Sequence, residues 1–228
     1  MANANTAGYG CRQAMTVGNT PATGGQSEFT VQGGGSPGAT KAIFKGAPVA
    51  MQTAAGGAGV LGHIQDQTAA LMTDGIVGGN TWAHNTANTN GSLGVFNGAT
   101  FVDANGKPTW TNGLAAAQTS SVDYNTGSNN ITAFVNTNPH QEYTARADAA
   151  VGIASFNTLT NTGYNLNDAG AGVDGQSDCT LDIANTTGTA NYMWKLVRSA
   201  NVTNQNDLTA AGADIIISYN PQANAYLA

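Results

Sequence analysis

The sequence predicts an all-β fold, and three observations support that prediction. Charged residues make up only 9% of the 228-residue chain, against about 25% in an ordinary soluble domain. A helical bundle or coiled coil needs Leu, Glu, Lys and Arg in quantity. Short apolar stretches instead alternate with polar residues at a period of two, which is typical of half-buried strands. Asn-Gly pairs, which favour tight hairpin turns, recur between such stretches.

The composition narrows the class of protein further. Ala, Gly, Thr and Asn number 38, 30, 29 and 26, and they fill more than half of the chain. The glycines have no three-residue period, which excludes collagen. Aromatic and β-branched residues recur in short clusters, which argues against full disorder. A chain of small and neutral polar residues suits wide protein–protein contact better than catalysis.

The chain divides into an arm and one domain. Residues 1–26 are rich in Gly, Asn, Thr and Ala and have no apolar face, so we expect an extended N-terminal arm that contacts other molecules. Residues 27–228 are predicted to form a single β domain, a β-sandwich or jelly-roll-like fold with long Asn/Gly/Thr-rich loops. Residues 80–130 are predicted to be a loop-rich insertion anchored by aromatic side chains. Residues 157–177 are also predicted to be a loop.

Strands are predicted where the alternation is clearest. The segments are SEFTVQ (27–32), two short pieces around Gly46 within 41–51, ITAFVN (131–136), QEYTARA (141–147), DCTLDIA (178–184), NYMWKLVRS (191–199) and ADIIISYN (213–220). In the last segment, Ile215 and Ile217 share one face, whereas Ile216 points to the other. An isoleucine on that second face predicts that it is also covered, by this chain or by a neighbouring subunit.

Two motifs match a catalytic and a nucleotide-binding pattern, but each lacks the neighbouring residues or elements that its function requires. Residues 34–38 read G-x-S-x-G, but Pro37 follows Ser36 and has no N–H for an oxyanion hole. Residues 57–62 read G-x-G-x-x-G, but the chain shows no βαβ alternation around them. We interpret the first as a glycine-rich turn and reject the second as a dinucleotide site.

The remaining His, Cys, Asp and Glu residues show no spacing typical of a catalytic or metal-binding site. His63, His84 and His140 lack the spacing of a metal site, and a triad of His140, Asp148 and an unspecified serine is a chance combination. Cys11 and Cys179 are interpreted as buried small hydrophobes, not as a disulfide. Asp168, Asp174, Asp178 and Asp182 match no calcium loop, and Glu28 and Glu142 make no obvious acid/base pair. The sequence predicts no enzyme and no catalytic, cofactor or metal site.

Charge and hydropathy bear on partners and compartment. The net charge of -6 and seven scattered basic residues argue against nucleic-acid binding, which needs clustered Lys and Arg. The first ten residues show no export signal, and no apolar run reaches the roughly 18 residues of a membrane helix. We therefore expect no membrane contact, and two unpaired cysteines suit a reducing cytosol.

Four strings of the sequence resemble a family of tailed-bacteriophage virion proteins, described as structural, decoration or head-stabilising proteins. They are MANANTAGYGCRQA at the start, IFKGAPVAM (43–51), GIVGG (75–79) and YMWKLVRSANVTNQNDLTAAGADIIISYNPQ near the end. Ala47 stands where the family commonly has Asp. Residues 80–130 depart from the family pattern, so the resemblance assigns them no role.

The resemblance implies a capsid decoration, or cement, protein. Such a protein binds the outer surface of the head and staples neighbouring major capsid subunits, as a homo-oligomer expected to be a trimer. It would be assembled in the bacterial host cytoplasm and located on the capsid surface of the virion. The alternative is a tail, fibre or surface carbohydrate-binding β module that grips sugars through Trp82, Trp110 and Trp194, although Trp194 lies in a strong strand that favours the core.

Overall fold

A computed structural model describes residues 3, 5–17, 20–21, 25–31, 43–51, 63–66, 92–103, 105–114, 131–152, 163–167, 175–187, 194–200 and 206–219. These residues contain fifteen β-strands and no α-helix, which confirms the all-β prediction. Within them the strand pairs are antiparallel except for one parallel pair between the third and sixth strands. A sandwich or jelly-roll arrangement of the layers stays a prediction.

Seven strands form one sheet, in the order β13-β12-β14-β15-β11-β1-β2. Their bounds are β1 Arg12–Thr16, β2 Thr20–Pro21, β11 Gln141–Arg146, β12 Gly163–Asn167, β13 Thr180–Thr187, β14 Trp194–Ser199 and β15 Asp214–Tyr219. The alternation predicted for β11 and β15 sets their register, with Tyr143 opposite Ile217 and Thr144 opposite Ile216. One face buries an apolar core that includes Tyr143, Trp194 and Tyr219.

Six further strands form a second sheet, in the order β10-β3-β6-β5-β7-β8, with an additional pairing between β10 and β7. Their bounds are β3 Gln26–Val31, β5 Pro48–Met51, β6 His63–Asp66, β7 Ser92–Val102, β8 Pro108–Thr111 and β10 Ile131–Asn136. Because β7 pairs with both β5 and β10, five of these strands close into a ring, and β8 extends it from β7. Phe96, Ala99, Ala133 and Val135 belong to the core of this ring.

A short two-stranded sheet and the turn that follows its first strand lie where the two large sheets meet. β4 (Ile43–Phe44) pairs with β9 (Gly113–Leu114), and the chain then turns through Gly46. The Gly46 carbonyl accepts a hydrogen bond from the Cys11 N–H at 2.8 Å, and the Gly46 N–H donates to the Phe96 carbonyl at 2.8 Å. Gly46 has a φ of 89°, which side chains other than glycine rarely adopt. This glycine therefore links the residue just before β1 of one sheet to β7 of the other.

The described part of residues 1–26 departs from the prediction of an arm without a core. Cys11 is buried at 3% exposure, and β1 pairs with β11 inside the seven-stranded sheet. The Asn3 side chain donates hydrogen bonds to the carbonyls of Asp207 and Ala211, both at 2.9 Å. The segment has no apolar periodicity because it is held by backbone pairing and by side-chain hydrogen bonds. Contacts of this segment with other molecules stay a prediction.

The region 80–130 contains more regular structure than a loop-rich insertion. β7 spans eleven residues, and Phe96 within it is fully buried. The Asn105-Gly106 pair forms a turn, as expected for Asn-Gly, since the Gly106 N–H donates to the Asp103 carbonyl at 2.9 Å. Asn97-Gly98 is not a turn: Gly98 lies inside β7 at a break in the register with β10 and has a φ of 137°. The same Asn-Gly pair makes a hairpin turn in one place and a bulge in another.

Two further predictions have a clear outcome. The loop predicted for 157–177 is partly wrong, because β12 lies within it and pairs with β13 and β14. The covered second face of β15 is confirmed, because Ile216 is only 6% exposed in the isolated chain. The cover is therefore supplied by this chain and needs no neighbouring subunit.

Candidate functional site

The residues with catalytic potential are not brought together in the described part of the chain. His140 lies in an exposed turn, where its backbone N–H donates to the Asn138 side chain at 3.0 Å. The carboxylate of Asp148 accepts a hydrogen bond from the Ile183 N–H at 3.0 Å, so it supports the backbone. Ser36, Pro37, residues 57–62 and His84 lie outside the described residues, as do Asp168 and Asp174.

No group of three or more His, Cys, Asp or Glu side chains with metal-binding geometry occurs among the described residues. Those residues also include no helix long and apolar enough to cross a membrane. Asp182 and Glu142 are both buried, at 2% and 4% exposure. Glu142 forms an ion pair with Arg198, at 2.7 Å between Oε2 and Nη1, which suits a structural role on the outer face of the seven-stranded sheet.

Both cysteines are buried and neither forms a disulfide, as the sequence predicts. The Ser177 hydroxyl lies 2.8 Å from the Cys179 sulfur, and the Cys179 N–H donates to the same hydroxyl at 3.2 Å. Burial raises the pKa of the Cys11 thiol far above its ordinary value. A buried thiol that stays protonated is a poor nucleophile, so Cys11 serves the packing of the core.

The three tryptophans named as sugar-binding candidates have different environments. Trp194 is fully buried, stacked on Tyr219 with 4.6 Å between ring centroids and edge-on to Tyr143 at 5.6 Å. It is a core residue and cannot touch a ligand at the surface. Trp82 lies outside the described residues. Trp110 is 52% exposed on β8, so it is the candidate that the structure places at a surface.

Trp110 lies flat on the outer face of the ring because a glycine makes room for it. An ideal Cβ added at Gly98 would lie 2.5 Å from the Trp110 ring. The ring also packs against Phe134, with 5.2 Å between centroids and 32° between planes. An aromatic side chain that covers a strand glycine protects the exposed backbone there. The sequence alone gives no sign of this, since Gly98 and Trp110 are twelve positions apart and meet only through strand pairing.

A shallow apolar cavity of about 480 Å³ surrounds this tryptophan. We call this surface the Trp110 patch, and its lining comprises Thr100, Phe101, Val102, Pro108, Thr109, Trp110 and Thr132. Val102 is 38% exposed, so two large apolar side chains face solvent side by side. Adjacent exposed apolar side chains are typical of an interaction surface. Met15 and Val17 form a second exposed apolar pair, near the β1–β2 turn.

A polar groove of about 430 Å³ lies where the two sheets meet. We call it the amide groove, because its polar lining consists of Tyr9, Arg12, Gln13, Lys45, Asn97, Asn112 and Gln176. Arg12 donates a hydrogen bond to the Gln176 side-chain oxygen at 3.0 Å, and its guanidinium lies 4.2 Å from the centre of the Tyr9 ring. The described residues that line the groove include no carboxylate.

The N-terminal segment contacts one end of the outer face of the seven-stranded sheet, at Arg146 and Asp214. The Tyr9 hydroxyl donates to Asp214 at 2.9 Å, and Arg146 pairs with the same carboxylate at 3.0 Å. Burial, and then the charge of Asp214, raises the pKa of Tyr9 well above its ordinary value. The tyrosine therefore stays protonated and acts as a hydrogen-bond donor, so Tyr9, Arg146 and Asp214 form a polar network that ties the N-terminal segment to the sheet.

Comparison with protein-family models, with curated proteins and with solved structures finds no match for this chain.

Proposed function

We propose that this chain is a bacteriophage capsid decoration protein that binds the outer surface of the head and links neighbouring major capsid subunits. The proposal starts from the four strings that resemble this class of virion proteins. It is supported by the all-β fold of the described residues and by the low proportion of charged residues.

The observation that carries the proposal is the Trp110 patch. Tryptophan is the side chain most enriched among residues that dominate interface energies, and such residues lie in well-packed positions within an interface. Trp110 is exposed in the isolated chain, yet it is fixed in place by Gly98 and Phe134. A fixed ring loses little conformational entropy when it is covered, which favours tight association.

The mechanism is repeated burial of a modest interface. Each copy would cover the Trp110 patch on a major capsid subunit, and many copies on one lattice would add their contributions. An oligomer, a trimer under this proposal, would link several subunits at once. The acidic net charge suits the outer face of the head, because packaged DNA lies on the inner face, and the protein would be assembled in the host cytoplasm without contacting membrane or nucleic acid.

A binding assay with expanded heads that lack the protein tests the proposal. We expect the purified chain to bind such heads in a saturable manner, and Trp110→Ala to weaken binding about thirtyfold, which corresponds to about 2 kcal/mol. Val17→Ala is the matched control at the other exposed apolar pair and is expected to change binding less than twofold. Absence of saturable binding by the parent protein contradicts the proposal, whereas equal binding by parent and Trp110→Ala contradicts the assigned surface.

A carbohydrate-binding module is the second candidate, and the exposed ring of Trp110 is the observation that favours it. Thr100 and Thr132 line the cavity around that ring and offer hydroxyl groups to a sugar. Titration of the chain with oligosaccharides of the host cell surface, followed by tryptophan fluorescence, separates the two functions. A saturable shift that Trp110→Ala abolishes, in a protein that does not bind heads, would replace the capsid proposal.

A further inference from the structure

We infer that the amide groove binds a carboxylate-bearing peptide segment, through Arg12 and Lys45 for the carboxylate and through side-chain amides for the peptide backbone. The inference rests on the proposed function for the identity of this segment. Under that function, the segment would be an acidic stretch of the major capsid protein. It adds a polar docking point to the apolar Trp110 patch.

The first argument is the state of the basic side chains. Arg146 and Arg198 are each paired with a carboxylate, at 3.0 Å and 2.7 Å. Arg12 and Lys45 both line the amide groove, and neither forms an ion pair with a carboxylate of the described residues. The chain has thirteen acidic residues and seven basic ones. Two basic residues that face a groove without acids, in an acidic chain, therefore favour a negatively charged ligand.

The second argument is that the backbone at Lys45 and the side chain of Arg12 are held in position. The Lys45 N–H donates to the Asn112 carbonyl at 2.8 Å, and the Lys45 carbonyl accepts from the Ser177 N–H at 2.9 Å. Arg12 is oriented by the Gln176 side chain and by the Tyr9 ring. A side chain that is already oriented loses less entropy when a ligand binds. The arginine thus presents its remaining N–H groups to a carboxylate, for which its planar fork is well suited.

The third argument concerns the neutral lining of the groove. Gln13, Asn97 and Asn112 line it together with Gln176, and each amide side chain carries both donors and acceptors. A peptide backbone offers the complementary N–H and C=O groups. The volume of about 430 Å³ lies in the range of about 300–1,000 Å³ that ligand sites occupy. The lining therefore matches a short peptide segment that carries one acidic side chain.

The chemistry disfavours a nucleic acid as the occupant. A polynucleotide is bound by many basic residues that release counterions from successive phosphates. Two basic residues in a chain of net charge -6 do not provide such a track. A single carboxylate can be bound by one or two nearby positive charges, and Arg12 and Lys45 supply them in the groove.

The experiment is a titration of the full ¹⁵N-labelled chain with two blocked tripeptides, Ac-Ser-Glu-Ser-NH₂ and Ac-Ser-Gln-Ser-NH₂. We expect the glutamate peptide to shift the amide signals of Arg12, Gln13, Lys45 and Gln176 and to bind at least threefold more tightly than the glutamine peptide. Lys45→Gln is expected to weaken binding about threefold. Lys107→Gln, the matched charge change in the exposed β7–β8 turn, is expected to leave binding unchanged.

Three outcomes overturn the inference: equal binding of the two peptides, no shift at the groove with either, or tighter binding of a thymidine oligonucleotide at the same residues. Since no capsid is present, this result is independent of the head-binding assay. Specific glutamate binding by a protein that does not attach to heads would reject the capsid partner and keep the carboxylate site. Head binding that depends on Trp110, without peptide binding, would reject the groove alone.

Discussion

The two sheets of this protein place their tryptophans differently. In the seven-stranded sheet, Tyr143, Trp194 and Tyr219 pack together inside. On β8, which extends the ring of five strands, Trp110 packs against Phe134 on the outer face and stays half exposed. Both tryptophans sit in short alternating strands, so the same local pattern serves a core in one region and a surface in the other.

The difference follows from the space that each arrangement encloses. A closed ring of five strands has a narrow interior, which is filled by side chains such as Val49, Ala99, Ala133 and Val135. The open seven-stranded sheet has no such limit and accommodates a cluster of aromatic rings. Phe96 is buried in the core of the ring, whereas the larger indole of Trp110 lies over Gly98 on the outer face, where it is available for contact with another molecule.

The largest expected effect comes from placing a charge on the covered second face of the seven-stranded sheet. Ile216→Asp would bury an unpaired carboxylate at a position that is 6% exposed, and we expect a loss of about 4 kcal/mol in the free energy of unfolding. Denaturant unfolding measures this loss of free energy. Size-exclusion chromatography of the Ile216→Asp variant is expected to show an unfolded chain, and not a folded protein of smaller size. Val102→Asp on the exposed face of the ring is the control, with a change within about 0.5 kcal/mol. A folded, dissociated Ile216→Asp variant would contradict burial within one chain.

Substitution of the buried tryptophan should cost more stability than substitution of the exposed one. Trp194→Ala leaves a cavity in a close-packed core, and we expect it to cost about 4 kcal/mol. Trp110→Ala removes a ring that is 52% exposed, and we expect a cost of about 1 kcal/mol. Thermal and denaturant unfolding of the two variants measure the contrast. Equal costs would show that the Trp110 ring is as essential to folding as the buried one, and the distinction between the two regions would fail.

A smaller effect than the loss at Trp194 is expected at the polar network that Tyr9, Arg146 and Asp214 form. Tyr9→Phe removes a hydrogen bond from the Tyr9 hydroxyl to the Asp214 carboxylate, so we expect a loss of about 1.5 kcal/mol near neutral pH. Burial raises the pKa of Tyr9 above its ordinary value, so ionisation above about pH 10 favours the unfolded state. The advantage of the parent over Tyr9→Phe is full below pH 10 and shrinks above it. A difference that stays constant up to pH 11.5 would contradict this assignment.

The strand prediction succeeded where one face of a strand is buried. The alternation in ITAFVN, QEYTAR and DIIISY matches β10, β11 and β15, because a strand with one buried face repeats with a period of two. Prediction was poorer for Gly163–Asn167 and for residues 92–114, where Asn, Gly and Thr dominate. Their strands are stabilised by pairing with distant strands, and such pairing leaves little local signal.

Of the candidate surfaces, the sequence named Trp110 but not its surroundings. The patch exists because β8 pairs with β7 and brings Trp110 over Gly98, while β10 brings Phe134 to the same face. The amide groove was not predicted at all. It joins residues from the N-terminus, the Gly46 turn, β7 and the segment after Gly175, and no spacing along the chain links them.

The sequence by itself determined the class of fold and the low number of charged and histidine side chains, because turn chemistry, strand alternation and composition are local properties. Only the tertiary structure decided which tryptophan is buried, how the first residues join the domain and which basic side chains line the amide groove. Those features depend on which strands become neighbours, and strand pairing is set by the free energy of the whole assembled core. In a chain this rich in small residues, many pairings satisfy the local pattern, so the packing of a few large side chains selects one of them.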